Sequence, residues 1–222
     1  ELTLKKNSLA VISDGSKVLG LGNLGALGAI PVMEGKAILF KELAGIDAFP
    51  ICIATQDTKE LIRVIREISP VFGAINLEDI VAPKCFEVEA SLQDLGIPVY
   101  HDDQHGTAVV VYAGLTNAAK AIKKPFSQLR VCINGAGAAG NAIAKMLLGV
   151  DAPAGFPKVK EVILCDSKGA LYAGRAHLDH AKQKLVQFTN PRRVKGDLKE
   201  ALREMDVFIG VSGKGLLKAA HV

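Results

Sequence analysis

Four carboxylates stand in two doublets, Glu78-Asp79 and Asp102-Asp103, each directly after a short apolar run (residues 72–77 and 97–101). In an open parallel sheet the carboxyl ends of the strands form one edge, and ligands bind there. Four like charges gathered at such an edge repel unless a cation or shared protons neutralise them. Oxygen-only ligands suit a hard divalent ion, Mg²⁺ or Mn²⁺, with water or substrate completing the shell. Helix capping would account for Asp79 or Asp103 singly; it accounts poorly for two doublets.

Lys36 follows Val32-Met33-Glu34-Gly35 in an apolar helix start, after a glycine-spaced turn. A lysine partly desolvated there would have a lowered pKa and could serve as a general base. A solvated surface lysine is the plain alternative. His101 and His105 have i, i+4 spacing but straddle a strand–helix junction, so both are expected to support the site rather than ligate. His177, His180 and His221 read as surface.

A second constellation is built from small residues. Gly135-Ala136-Gly137-Ala138-Ala139-Gly140 fits G-x-G-x-x-G between an apolar strand and a helix. The first glycine allows a tight turn, the second lets backbone approach a pyrophosphate, and the third lets helix and strand pack closely. The helix start adds unpaired N–H groups and a positive dipole end. Asp166 ends the next strand, where an acid accepts hydrogen bonds from ribose hydroxyls. An acid there disfavours a 2′-phosphate, while Lys168 two residues on offsets it. NAD is favoured and NADP stays open.

The elements that must position these groups follow a βα rhythm. Asp14-Gly15 between residues 8–13 and 16–22 reads as a hairpin turn, since both turn positions need positive φ. Residues 31–44 read as a helix, 49–54 as a strand, and Asp57 as the start of a helix carrying Leu61, Ile65 and Ile68 on one face. Strands over 72–77 and 97–101 alternate with helices over 85–95 and 107–122. Lys123-Lys124-Pro125 looks like a boundary. Strands over 129–134, 162–165 and 207–211 and helices over 141–148 and 198–205 follow it. The expected fold class is α/β: two parallel-sheet domains, residues 1–124 and 125–222, the second a Rossmann-type dinucleotide-binding domain that looks truncated.

Composition agrees with a folded, water-soluble chain. The chain has 222 residues, 49% hydrophobic and 23% charged, with a net charge of +4 and no basic block. With aromatics at 5% and no Trp, nothing argues for nucleic acid, which needs clustered cations and stacking platforms. No apolar stretch is long enough for a membrane span. Cys52, Cys85, Cys132 and Cys165 lack the spacing of a zinc or redox motif. Three of them lie in or beside apolar runs, which fits a reducing, cytoplasmic setting.

The order of motifs resembles bacterial-type malic enzymes. Ser13-Asp14-Gly15, residues 19–23, Pro31-Val32-Met33-Glu34-Gly35-Lys36 and residues 45–50 follow one another as in that family. So do Asn76-Leu77-Glu78-Asp79-Ile80, Ala82-Pro83-Lys84-Cys85-Phe86, residues 101–108, the glycine motif, residues 165–169 and residues 206–212. The resemblance implies NAD(P)-linked oxidative decarboxylation of L-malate to pyruvate and CO₂. It implies a divalent metal held by Glu78, Asp79 and Asp103, with Lys36 taking the C2 hydroxyl proton. Asp102 would hold Lys36 or a metal-bound water, Thr107 would join the cofactor site, and the enzyme would be a homodimer. Two departures matter. The family's N-terminal Tyr-Thr-Pro motif, whose tyrosine is the general acid, has no counterpart here, because Tyr100, Tyr112 and Tyr172 stand in other contexts. The family also continues beyond the strand at residues 207–211 with an Asn-Pro turn. The expectation is a chain lacking parts of both ends, with little complete turnover by itself. The competing readings are a non-catalytic nucleotide- or metal-binding module and another two-domain dehydrogenase, such as one acting on amino acids.

Overall fold

The computed structural model describes residues 2–221. The chain divides into two compact units, Glu1–Asp103 and Gln104–Val222. In the first, strands β1 (Ser8–Ser13), β2 (Asp47–Cys52), β3 (Ala74–Leu77) and β4 (Val99–His101) form an all-parallel sheet in the order β2-β1-β3-β4. The crossovers are α1 (Gly25–Ala44), α2 (Thr58–Ile68) and α3 (Lys84–Ala90). Strand β1 is buried along its whole length, as a central parallel strand must be. Leu9, Val11, Ala29 and Met33 form a core layer between β1 and α1. Helix α2 starts where its sequence signals: the Asp57 carboxylate accepts the Glu60 N–H at 2.9 Å, and Leu61 and Ile65 are buried one turn apart.

The expected hairpin at Asp14-Gly15 does not form. Both edges of β1 are taken by parallel partners, β2 and β3, so residues 16–22 have no edge to pair with. They form a compact turn instead, with one bridge between Val18 and Gly22. Gly15 does take positive φ (+64°), and a Cβ there would lie 2.0 Å from the Gly25 carbonyl oxygen. The glycine permits close approach of two loops rather than a chain reversal. Helix α1 begins six residues before the expected start and contains Pro31, because the Leu24 and Gly25 N–H groups are anchored on the Gly15 carbonyl (3.0 and 3.1 Å). A proline inside removes one backbone hydrogen bond, and the flanking turns carry the helix through it.

Helix α4 (Asp102–Ala121) carries the unit division within it. The division therefore precedes the expected boundary at Lys123-Lys124-Pro125. Ala108, Leu115 and Ala119 of α4 pack with Leu129, Val131 and Ile133, so most of this helix belongs to the second core. There, β5 (Arg130–Asn134), β6 (Glu161–Asp166) and β8 (Val207–Gly210) are parallel, with β7 (Gly169–Ala170) antiparallel at one edge, in the order β7-β6-β5-β8. Helix α5 (Ala138–Leu148) joins β5 to β6, and short helices α6 (His180–Leu185) and α7 (Leu198–Leu202) precede β8. The four cysteines are unpaired. Among the described residues no helix is long and apolar enough to cross a membrane.

Candidate functional site

In the first unit, parallel register sets the site. Leu77 pairs with His101, so the residues that follow, Glu78 and Asp102, leave adjacent strands at the same level. Asp79 and Asp103 come next, and one oxygen each from Glu78, Asp79 and Asp103 lie within 4.8 Å of one another. Lys36 reaches this edge from α1, one turn beyond the buried Met33. Its Nζ is 2.7 Å from Asp102 Oδ2 and 3.1 Å from Glu78 Oε1. The lysine and the acids singled out from the sequence are thus brought together.

The charges are not balanced by protein alone. Burial pushes the Glu78 carboxyl up to about 7, against the opposing Asn76 hydrogen bond and the Lys36 charge. Burial and the charge of Asp103 push Asp79 up to about 6, although the Leu19 N–H opposes this. Asp79 also holds a left-handed backbone (φ +55°), which costs a non-glycine residue about 1 kcal/mol or more. It is held there by contacts along its length. Its carbonyl accepts the Lys17 N–H (3.0 Å), its Oδ1 accepts the Leu19 N–H (3.2 Å), and its own N–H donates to Asp103 Oδ2 (3.0 Å). Asp79 Oδ2 is buried without a hydrogen-bond donor. A buried, donorless carboxylate oxygen sharing its space with two other carboxylates fits a hard divalent cation. Capping alone does not explain that oxygen.

Lys36 departs from expectation in its charge. Burial favours the neutral amine, but the hydrogen bond to Asp102 and the charges of Glu78 and Asp102 outweigh it and hold the pKa above the usual lysine value. In this arrangement Lys36 is an ammonium ion. The sequence leaves Lys36 open between a desolvated base and a solvated surface residue, and the resemblance points to Asp102 as its partner but not to Glu78.

Two groups at this edge escaped the sequence reading. Asn76 is buried and donates to Glu78 Oε2 at 2.8 Å, fixing that carboxylate. Tyr100 is pushed up to about 12 by burial and then by the Asp102 charge, so its hydroxyl keeps its proton. His101 is buried with Nε2 3.6 Å from Asp103 Oδ2, a supporting place, whereas His105 is exposed.

In the second unit the glycine motif forms the turn from β5 into α5, with Gly135 and Gly140 in the tight-turn and close-packing places. Gly135 has φ +129°, and a Cβ there would lie 2.8 Å from the Val211 carbonyl oxygen. A Cβ on Gly140 would sit 1.7 Å from the Gly135 carbonyl oxygen, so helix and turn touch backbone to backbone. Gly137, the N-cap of α5, faces open space where a Cβ would project. Ala136, Ala138 and Ala139 complete the turn without bulk. The first-turn N–H groups of a helix lack intrahelical acceptors, so this cradle fits the phosphates of a dinucleotide.

Asp166 does end β6, but its carboxylate is heavily engaged. Oδ2 meets Arg175 Nη2 at 2.5 Å and Lys182 Nζ at 3.1 Å, and Oδ1 accepts the Lys168 N–H at 2.9 Å. Burial alone would push Asp166 up; these hydrogen bonds win and hold it below the usual carboxylate range. The offsetting charge expected from the Lys168 side chain comes from Arg175 and Lys182, while Lys168 contributes its backbone. Thr107 lies partly buried on α4.

Comparison with known proteins gives one consistent result. The family described as "Malic enzyme, N-terminal domain" matches residues 1–62, and "Malic enzyme, NAD binding domain" matches residues 104–221. The NAD-dependent malic enzyme of Geobacillus stearothermophilus is 51% identical over 222 residues, all of this chain and 45% of the relative. The bifunctional malic/malolactic enzyme of Bacillus subtilis is 49% identical over 219 residues, 98% of this chain and 52% of the relative. The crystal structure of the NAD-dependent malic enzyme from Thermotoga maritima superposes with a TM-score of 0.91 at 48% identity, covering 98% of this chain and 56% of that one. The chain spans about half the length of the relatives it matches.

Proposed function

The chain belongs to the malic enzyme family, and on that premise we propose that the protein carries out NAD(P)-linked oxidative decarboxylation of L-malate to pyruvate and CO₂. The observation that carries this reading is the cluster of Glu78, Asp79 and Asp103 with Lys36 between Glu78 and Asp102. We assign the cluster of the first unit to metal and substrate, and the glycine cradle of the second to NAD or NADP.

Glu78, Asp79 and Asp103 would hold Mg²⁺ or Mn²⁺, which when bound polarises the substrate's C2 oxygen and stabilises the negative charge that develops there. Lys36 takes the C2 hydroxyl proton. It must first give up its own ammonium proton to solvent, which a cation held by Glu78, Asp79 and Asp103 would favour by offsetting the anions that otherwise hold that proton. Asp102 keeps Nζ aimed at the reacting oxygen and stabilises the ammonium that forms. Oxidation precedes decarboxylation, because the ketone at C2 is the electron sink for the departing CO₂. The dinucleotide supplies the hydride acceptor. Gly135, Ala136, Gly137, Ala138, Ala139 and Gly140 would seat its pyrophosphate, Asp166 would meet the ribose, and Thr107 would contribute to the same cofactor site.

A homodimer is the assembly we propose. Helix α1 leaves Leu27, Ile38, Leu39 and Leu43 exposed, more apolar surface on one helix than a solvated helix carries; light scattering in solution measures the mass. The unpaired cysteines support a reducing, cytoplasmic location.

The test is the appearance of reduced nicotinamide with L-malate and Mn²⁺, on this 222-residue chain and on one extended at both ends. Turnover that disappears with EDTA and in Lys36→Ala supports the proposal. A folded, NAD(P)-binding protein without turnover in either form makes it a binding module instead. Turnover insensitive to EDTA points to a metal-free dehydrogenase.

A further inference from the structure

The motifs around Asp14 and Lys84 have no part in the chemistry above, yet they form a deeply buried ion pair in the first unit. Asp14 is fully buried, and the Lys84 side chain is 12% exposed. Lys84 Nζ donates to Asp14 Oδ2 and to the Gln56 carbonyl (3.1 Å). The other carboxylate oxygen, Asp14 Oδ1, accepts the Ser16 hydroxyl (2.6 Å) and the Ser16 N–H (3.0 Å). Ser16 Oγ in turn accepts the Val81 N–H at 2.9 Å. Val81 lies two residues past Asp79, whose carbonyl and carboxylate are held by the N–H groups of Lys17 and Leu19. The loop after β1 therefore grips residues 79–81 at three points, and the Asp14–Lys84 pair anchors the start of that loop.

We propose that Asp14, Lys84 and Ser16 are positioning residues for Asp79, holding its left-handed backbone so that its carboxylate joins Glu78 and Asp103. The inference rests on the reading of those three acids as a cation site. Three physical points carry it. A buried ion pair stabilises a fold little better than apolar residues of equal volume, and its best-attested use is to fix one geometry. The Ser16 hydroxyl has a single donor and is committed to Asp14, so its oxygen faces Val81 in a fixed direction. Asp79 would relax from positive φ unless its surroundings over-determined it. Groups that orient metal ligands typically change affinity by about 10- to 100-fold when removed.

The experiment is a Mn²⁺ titration followed by electron paramagnetic resonance on the 222-residue chain, with a thermal melt of each metal-free variant as the fold control. Ser16→Ala removes only the bridging oxygen, and Lys84→Met removes the cation. Each is expected to weaken Mn²⁺ binding about tenfold or more in a chain that still melts cooperatively, and Lys84→Arg is expected to restore most of it. A purely structural role would lower the melting temperature without moving the Mn²⁺ constant of the folded fraction. Wild-type binding with unchanged constants in Ser16→Ala and Lys84→Met overturns the positioning role and leaves the cation site standing. Failure of the wild-type chain to bind Mn²⁺ overturns both. Should Lys84→Met not fold, Ser16→Ala and Lys84→Arg decide the matter.

Discussion

The acidic cluster and the glycine cradle both lie at the carboxyl edge of a parallel sheet, and they are made by opposite means. The first is built from side chains: Lys36, Glu78, Asp79, Asp102 and Asp103 converge from one helix and two strand ends. The second is built by removing side chains, so that the Gly135 turn and the start of α5 meet backbone to backbone. A site of side chains buries ionisable groups, and the values at Glu78 and Asp79, raised chiefly by burial, are its mark. A site of backbone carries almost no net charge, and its demand is steric. The two should therefore fail in different ways under mutation and pH.

The largest effect should come from Lys36→Ala, which removes the proposed base. Turnover of the extended chain is expected to fall about 10²- to 10⁴-fold, while Mn²⁺ and NAD(P) binding persist. Initial rates and separate binding titrations check this. If Mn²⁺ affinity falls as steeply as turnover, Lys36 is part of the cation site and the division of roles is wrong.

Next is Gly140→Ala. Its Cβ would lie 1.7 Å from a backbone oxygen, so the turn must move, at a cost of about 3 kcal/mol. Calorimetry should show the second unit melting earlier and nucleotide binding lost, with the Mn²⁺ titration unaltered. Retained nucleotide affinity would break the steric account of the cradle.

The acidic site should respond to pH where the cradle does not. Glu78 and Asp79 are raised to about 7 and about 6, so the metal-free folded state binds more protons than the unfolded one below those values. Their contribution to stability is complete below about pH 4, declines as pH rises from there, and is gone above about 7. A cation competes with these protons, so Mn²⁺ affinity should drop roughly tenfold per pH unit between about 7 and about 6, and more steeply below that as Asp79 also binds a proton. Thermal shifts with Mn²⁺ should be larger at pH 8 than at about pH 6. A shift independent of pH would mean that the acids are ionised without the metal. The smallest effect is the stability of Gly137→Ala, whose Cβ meets nothing within 4 Å. Its melt should stay within about 0.5 kcal/mol of the parent, although a Cβ there stands where the pyrophosphate would approach.

The acids and glycines were legible because βα alternation puts the residue after each apolar run at one sheet edge, and little else in the chain competes for that place. Register did the rest, since Leu77 opposite His101 needs only two parallel neighbours. What escaped depends on partners distant in the chain. Lys84 meets Asp14 across 70 positions, and neither residue shows from the sequence that it is buried. Arg175 and Lys182 reach Asp166 by way of β7 and α6, a two-residue strand and a six-residue polar helix, both too short to show a period. The hairpin failed for a related reason: Asp14-Gly15 offers a turn, and the occupied edges of β1 decide that no strand follows it. The unit division fell inside α4 because the Ala-rich face of that helix belongs to the second core, while charge and proline pointed to its far end.

The left-handed backbone at Asp79 bears on how such a gene could decay. Most replacements one base away from an aspartate codon, among them Val, Ala, Tyr and Glu, bring a side chain that resists this conformation, so they would damage fold and site together. Asn and Gly take it up most readily. A lineage that lost the proposed cation site while keeping the folded scaffold should therefore carry Asn or Gly at this position. That makes position 79 a marker for telling retired copies from working ones in genome data.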